Sequence, residues 1–257
     1  MEKTNGRHVP DGLKSGSVNV DGAEIHYVEA GSGYPLVYVH GGQGLTLSLA
    51  HRELSETYRL IAFEIPEFDG VTERNAPPNL AEIAMTVNKA IAELELDRFS
   101  LMGHSIGADL LLWMAAENSE RIDAMILSAP TAIRFEQTRT NGMKIESSAQ
   151  ESNVWFGRPP VWPEKALGRL RDPDLEEKMV QIKMPVLVLF GTSDDIVSTN
   201  AARIYCELLP KCFTMMMYQA SHSIDLDRPE AVASVSKNFL ENKESFVVNR
   251  ESGLLSP

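Results

Sequence analysis

An α/β fold with a mainly parallel sheet covered by helices on both faces is what this 257-residue sequence predicts. Three observations predict it. Short apolar runs alternate with stretches of helical period, which is the pattern of strand and crossover helix. The runs are continuously apolar, so they read as strands buried on both faces. The pentapeptide Gly103-His104-Ser105-Ile106-Gly107 stands where one apolar run passes directly into a helical one.

The chain opens with a hairpin: Ser17 to Val20, the turn pair Asp21-Gly22, then Glu24 to Glu29. An Asp-Gly pair is a type I′ turn signal, and the hairpin adds antiparallel strands at one sheet edge. Buried strands are expected at Pro35 to Val39, Arg59 to Glu64, Phe99 to Met102, Ala124 to Leu127, Pro185 to Phe190 and Cys212 to Tyr218. Leu80, Ile83, Val87, Ile91 and Leu94 share one face at 3.6-residue spacing and define an amphipathic helix. Ile106 to Ala116 is apolar nearly all round, as suits a helix buried behind the sheet. Pro229 opens the last helix, through Val232, Val235 and Phe239. The segment 131–183 breaks the alternation and is too long for a structureless loop, so it reads as a small helical lid inserted between a core of residues 1–130 and 184–257. Its aromatics (Phe135, Trp155, Phe156, Trp162) and the pair Pro159-Pro160 either pack the lid on the body or line an acyl pocket.

A net charge of −12 leaves no basic stripe to meet phosphates and disfavours nucleic acid and anionic membranes as partners. A small-molecule substrate is compatible with it, and a homo-oligomer is left open. The polar stretch Met1 to Ser15 has no apolar core of a signal peptide, and no run reaches the roughly 18 apolar residues of a membrane span. Cys206 and Cys212 sit among apolar neighbours and read as buried free thiols. Together these point to a cytoplasmic protein. No His/Cys/Asp group has metal-ligand spacing, so no metal site is expected.

Ser105 is the candidate nucleophile. A strained turn between strand and helix presents such a serine, and the flanking glycines are needed because side chains there would clash. By composition alone a chain of this length yields about 0.1 matches to G-x-S-x-G, so the supporting residues carry the argument. A serine hydroxyl needs a base within hydrogen-bond reach. His222, just past the last strand, arrives at the same sheet edge as Ser105. Asp194 follows the strand Pro185 to Phe190 and is chosen as the carboxylate that orients the base, with Asp195 read as a solvated turn residue. Backbone donors for an oxyanion are expected from Ile106 and from Gly42 in the loop His40-Gly41-Gly42-Gln43-Gly44. Gly41, Trp155 and Trp162 are the candidates for contact with substrate. His40 and His104 read as structural residues of their loops, and His8, His26 and His51 have no partner that the sequence identifies.

With these motifs in order, joined by Gly191-Thr192-Ser193-Asp194, Ser221-His222 and Arg228-Pro229-Glu230, the chain resembles an α/β-hydrolase-fold serine hydrolase of the esterase and lipase kind. The resemblance covers nearly the whole chain. It implies an eight-stranded sheet, a lid after the sixth strand and catalysis without a cofactor. Three motifs depart from the family pattern, at four positions: Glu67 and Asp69 replace turn glycines in Glu64 to Val71, Gln43 stands in the oxyanion loop, and Ser221 precedes the histidine in place of glycine. Acidic groups at 67 and 69 would repel anionic substrates. Serine at 105 argues against dehalogenase and epoxide hydrolase chemistry, in which a carboxylate attacks. The expected reaction is hydrolysis of a small carboxylic ester through an acyl-enzyme. Carbon–carbon, lactone or amide hydrolysis, perhydrolysis, and a receptor-like binding protein on the same scaffold are the alternatives.

Overall fold

The structure is a computed structural model, and it describes residues 11–42, 44–65, 79–117, 119–135, 151–157 and 170–246. Gln43, Glu67, Asp69, Pro159, Pro160 and Trp162 lie outside the described residues.

Among the described residues ten strands run in chain order: β1 (Leu13–Val20), β2 (Ala23–Ala30), β3 (Tyr34–Val39), β4 (Thr46–Ser48), β5 (Tyr58–Phe63), β6 (Phe99–His104), β7 (Ile122–Ser128), β8 (Val154–Gly157), β9 (Val186–Gly191) and β10 (Cys212–Met217). Eight form the main sheet in the order β1-β2-β5-β3-β6-β7-β9-β10. The hairpin β1/β2 and the pair β2/β5 are antiparallel. From β5 across to β10 every pairing is parallel. The Asp21-Gly22 turn has both residues at positive φ, 52° and 88°, as a type I′ turn requires.

Strand period 2 sorts the side chains into two cores. Val37, Val39, Ile61, Phe63, Val186, Val188 and Phe190 face one layer, which also receives helices α2 (Leu80–Glu93), α3 (Ile106–Glu117), α4 (Pro173–Met179) and α5 (Ala201–Leu208). The intervening Leu36, Tyr38, Leu60, Ala62, Leu187 and Leu189 face the other layer. That layer receives α1 (Leu49–Ser55), the short α6 (Ile224–Asp227) and α7 (Pro229–Asn242). Along α2 the buried residues are Ile83, Ala84, Val87, Ala90 and Ile91, the stripe expected from spacing. Helix α3 is buried on nearly every side.

The described parts of the 131–183 segment hold a 3-10 turn (Glu151–Asn153), strand β8 and helix α4. Its two ends are joined by the antiparallel bridge Ile133–Arg171. Strand β8 pairs antiparallel with β4 of the body. A strand here was not anticipated from sequence, because its edge partner β4 is only three residues long and has no periodic signal of its own.

Asp109 on α3 fixes the start of this segment. Its carboxylate accepts from Thr131 N (2.8 Å), Ala132 N (2.9 Å) and the Thr131 hydroxyl, all buried. Burial pushes the Asp109 carboxyl up to about 6, against the pull of these donors. Asp109→Ala would strand two backbone N–H groups and a hydroxyl in the interior, and should lower unfolding free energy by about 3 kcal/mol. A urea titration checks it, and a midpoint equal to wild type would contradict this anchoring.

The cysteine expectation needs correction. Both thiols are free, but Cys206 is exposed and Cys212 half-buried. Apolar sequence neighbours misled here: β10 is the outermost strand of the sheet, and the buried face of α5 is made by Ala201, Ala202 and Tyr205, leaving Cys206 turned outward. Burial raises the Cys212 thiol well above its ordinary range.

Among the described residues no helix is long and apolar enough to cross a membrane.

Candidate active site

A parallel sheet delivers the loops at the carboxyl ends of its strands to one edge. Four such loops converge here. The loop after β3 carries His40 to Gly44, β6 leads directly into Ser105, β9 leads to Asp194, and β10 leads to His222.

Ser105 takes φ = 55°, left-handed for a residue with a side chain. That strain, of order 1–2 kcal/mol, is held by its neighbours. Its N–H donates to Ser128 O of the adjacent strand at 2.8 Å, and its carbonyl accepts from Ala108 N at 3.0 Å as α3 begins. The glycines on either side have the steric task expected of them. A Cβ on Gly107 would come within 2.3 Å of His40 O and 2.4 Å of Val39 O, and one on Gly103 within 3.0 Å of Ala108 backbone.

His222 Nε2 lies 2.9 Å from Ser105 Oγ, and His222 Nδ1 lies 2.9 Å from Asp194 Oδ2. A carboxylate can only accept, so the proton sits on Nδ1, and Nε2 presents its lone pair to the serine hydroxyl. The Asp194 side chain is 1% exposed, and its other oxygen accepts from Ile196 N and Val197 N at 2.8 and 2.9 Å. Asp195 is exposed. The structure therefore brings together Ser105, His222 and Asp194, and leaves Asp195 in solvent. Such a chain lets the imidazole take the hydroxyl proton while the carboxylate holds its tautomer and offsets its charge.

Ile106 is the first residue of α3, so its N–H has no acceptor within the helix. Gly42 is half-buried in the loop opposite. That loop is shaped by His40, whose Nδ1 donates to Gly41 O at 2.7 Å while Nε2 accepts from Ile65 N at 3.0 Å. Gly41 packs on the serine turn: a Cβ there would lie 2.7 Å from His104 Nδ1 and 3.1 Å from Ser105 Cβ. His104 donates from Nε2 to His222 O at 2.9 Å, and burial lowers its pKa, so it stays neutral and structural. Trp155 on β8 is half-buried against the core layer that contains α1 and α7.

Ser221, where the family pattern has glycine, is tied to the histidine loop. Its N–H (2.7 Å) and its hydroxyl both donate to Asp227. Asn153 Nδ2 donates to Leu226 O at 2.8 Å, linking the same loop to the inserted segment.

Sequence reasoning missed His51. It is fully buried on α1, its Nδ1 accepts from Ser48 N at 3.0 Å, and its ring lies 4.2 Å from that of Tyr38. Burial holds its pKa down to about 4, although the Asp225 carboxylate 3.7 Å away pulls it up. The partner could not be found from sequence because Asp225 reaches α1 only through the packing of α6. Between pH 6.5 and 4 the unfolded chain binds a proton that folded His51 refuses. This share of stability is therefore complete above pH 6.5 and is lost as pH falls toward 4. In His51→Gln the difference in unfolding free energy between pH 7 and pH 4.5 should shrink by roughly 2–3 kcal/mol. Equal acid sensitivity in both proteins, by urea unfolding at the two pH values, would refute this.

The family described as alpha/beta hydrolase fold matches residues 34–149. A 2-hydroxy-6-oxo-6-(2'-aminophenyl)hexa-2,4-dienoic acid hydrolase of Metapseudomonas resinovorans is 22% identical over 265 residues, spanning 88% of this chain and 90% of its own. A pimeloyl-[acyl-carrier protein] methyl ester esterase of Nitrosomonas europaea is 24% identical over 252 residues, spanning 82% and 98%. Among solved structures, a bacterial membrane phospholipase A superposes with a TM-score of 0.70 at 23% identity, covering 90% of this chain and 86% of that one. The strand order, the serine turn at the carboxyl edge of the sheet and the hydrolases it resembles lead to one assignment: the chain has the α/β-hydrolase fold and is a hydrolase.

Proposed function

We propose that this protein cleaves a small carboxylic ester through an acyl-enzyme on Ser105, with His222 as base and Asp194 as its orienting acid. The observation that carries the reading is the continuous hydrogen-bonded line from Ser105 Oγ through His222 to Asp194, at 2.9 Å in each step. Ser105 Oγ attacks the acyl carbon as its proton passes to His222 Nε2, and the backbone N–H groups of Ile106 and Gly42 receive the oxyanion. Collapse of the tetrahedral intermediate expels the alcohol, which takes the proton from His222. Water then attacks the acyl-enzyme by the same route and frees the acid and Ser105. Gly41 and Trp155 are the proposed contacts of the acyl group, and Trp162, the third candidate, lies outside the described residues. The esterase relative supports ester cleavage, while the dienoic acid hydrolase relative favours carbon–carbon cleavage as the second reading.

The test is a p-nitrophenyl ester series with stopped-flow detection, joined to labelling by a fluorophosphonate. Burst release of p-nitrophenol and one phosphonyl adduct on Ser105 are expected. No turnover of any ester together with an unlabelled Ser105 would overturn the reading.

A further inference from the structure

Beside the residues that flank Ser105 and His222 the structure holds a buried carboxylate that no described residue neutralises. Asp225 is 5% exposed, and among the described residues no hydrogen bond reaches its carboxylate. Among the described residues the one basic group within ion-pair distance is His51, at 3.7 Å. His51 Nδ1 already accepts from Ser48 N, so it offers Asp225 a lone pair and not a proton. Tyr38 is 2% exposed, and its hydroxyl likewise has no hydrogen bond among the described residues. Removing one partner from a buried charge pair costs several kcal/mol, so a carboxylate built without a partner marks a place where one arrives from outside.

Asp225 and Tyr38 line one small cavity together with Gly41, His104 and Ser223. Three of these walls belong to the reaction centre. Gly41 abuts Ser105, His104 precedes it, and Ser223 follows His222. The free space at the centre of the cavity takes about one water-sized group. Size and charge together select a compact cationic donor. A hydroxyl would leave the charge, and a quaternary ammonium would neutralise it but has no N–H to donate to the carboxylate or the phenol oxygen.

We propose that Asp225 and Tyr38 form a subsite for a primary ammonium carried by the substrate a few bonds from the scissile carbonyl, making the natural substrate an amine-bearing ester. The ammonium donates to the Asp225 carboxylate and the Tyr38 hydroxyl oxygen, and the net charge of −12 raises the local concentration of such cations. The proposal rests on the ester reading for which bond is cut, but not for whether the cation binds.

Two experiments separate these parts. The first compares kcat/KM for phenyl 3-aminopropanoate and phenyl butanoate, which differ by ammonium for methyl. Wild type should favour the ammonium ester by about tenfold or more, and Asp225→Asn should lower that ratio at least tenfold, as expected for loss of a charge-assisted contact. A merely structural role for Asp225 would depress both rates and leave the ratio intact. That result, or a wild-type preference for the butanoate, overturns the subsite.

The second uses thermal unfolding of Ser105→Ala with n-butylammonium, 1-butanol and butyltrimethylammonium. Only n-butylammonium should raise Tm, and the rise should vanish in Ser105→Ala/Asp225→Asn. The comparison among the three ligands needs no change at Asp225, so it holds even if the double variant folds poorly. Equal shifts from all three, or none from n-butylammonium, overturn the proposal. If no ester is turned over, the ester reading fails while this second experiment still decides the subsite.

Discussion

Ser105→Ala and His222→Ala are each expected to lower kcat for ester hydrolysis by about 10⁴- to 10⁶-fold, and the double variant should be no worse than either alone. The reason is geometric. Ser105 Oγ and His222 Nε2 are 2.9 Å apart, and neither has a function without the other. Without the imidazole the hydroxyl keeps its proton and is a poor nucleophile. Without the hydroxyl the imidazole has no proton to take. Independent contributions would multiply, whereas a unit shows its whole loss at the first removal. Residual rates above the uncatalysed reaction should persist in all three variants, supplied by the N–H groups of Ile106 and Gly42. Steady-state assays on the single and double variants check this, and multiplicative losses would show that the pair does not act as one device.

Asp194→Asn should cost about 10⁴-fold in kcat with the fold intact, and Asp195→Asn less than about twofold. An amide at 194 could present its NH₂ to His222 Nδ1. The ring proton would then move to Nε2, the nitrogen that must accept from Ser105. Asp194 also holds the turn by accepting from Ile196 and Val197, which an Asn carbonyl oxygen could still do. The loss should therefore fall on the rate and not on the fold. Asp195 is solvated and touches none of this. Kinetics paired with urea unfolding separate the two effects, and similar losses at 194 and 195 would remove Asp194 from the role proposed for it.

Much of this site was legible in the sequence because its residues sit in loops that follow strands. In a parallel sheet those loops share one edge whatever the details of packing, so chain order carries spatial information. Ser105, Asp194, His222 and Gly41 could be placed together on that ground, and the flanking Gly103 and Gly107 follow from the strain of a single turn. The hairpin was legible for the same local reason, since the conformation of Asp21-Gly22 is decided within the turn. Asp194 could be preferred over Asp195 but not separated from it, because two adjacent carboxylates in one loop have the same address in sequence. Backbone direction after β9 made the choice, burying one side chain and exposing the next.

What the sequence by itself determined about this protein is thus its fold class, the order of its strands and helices, and the residue types gathered at the carboxyl edge. These depend on period, turn chemistry and chain order, which are properties of neighbours along the chain. Only the tertiary structure decided that Asp109 anchors Thr131 and Ala132, that Cys206 faces solvent, and that His51 and Asp225 meet. Each joins elements that no periodic pattern relates, and each turns on burial. An apolar setting makes a hydrogen bond obligatory for Asp109 and keeps His51 neutral, so that Asp225 faces an uncharged ring, and how dry a site is depends on which layers close over it.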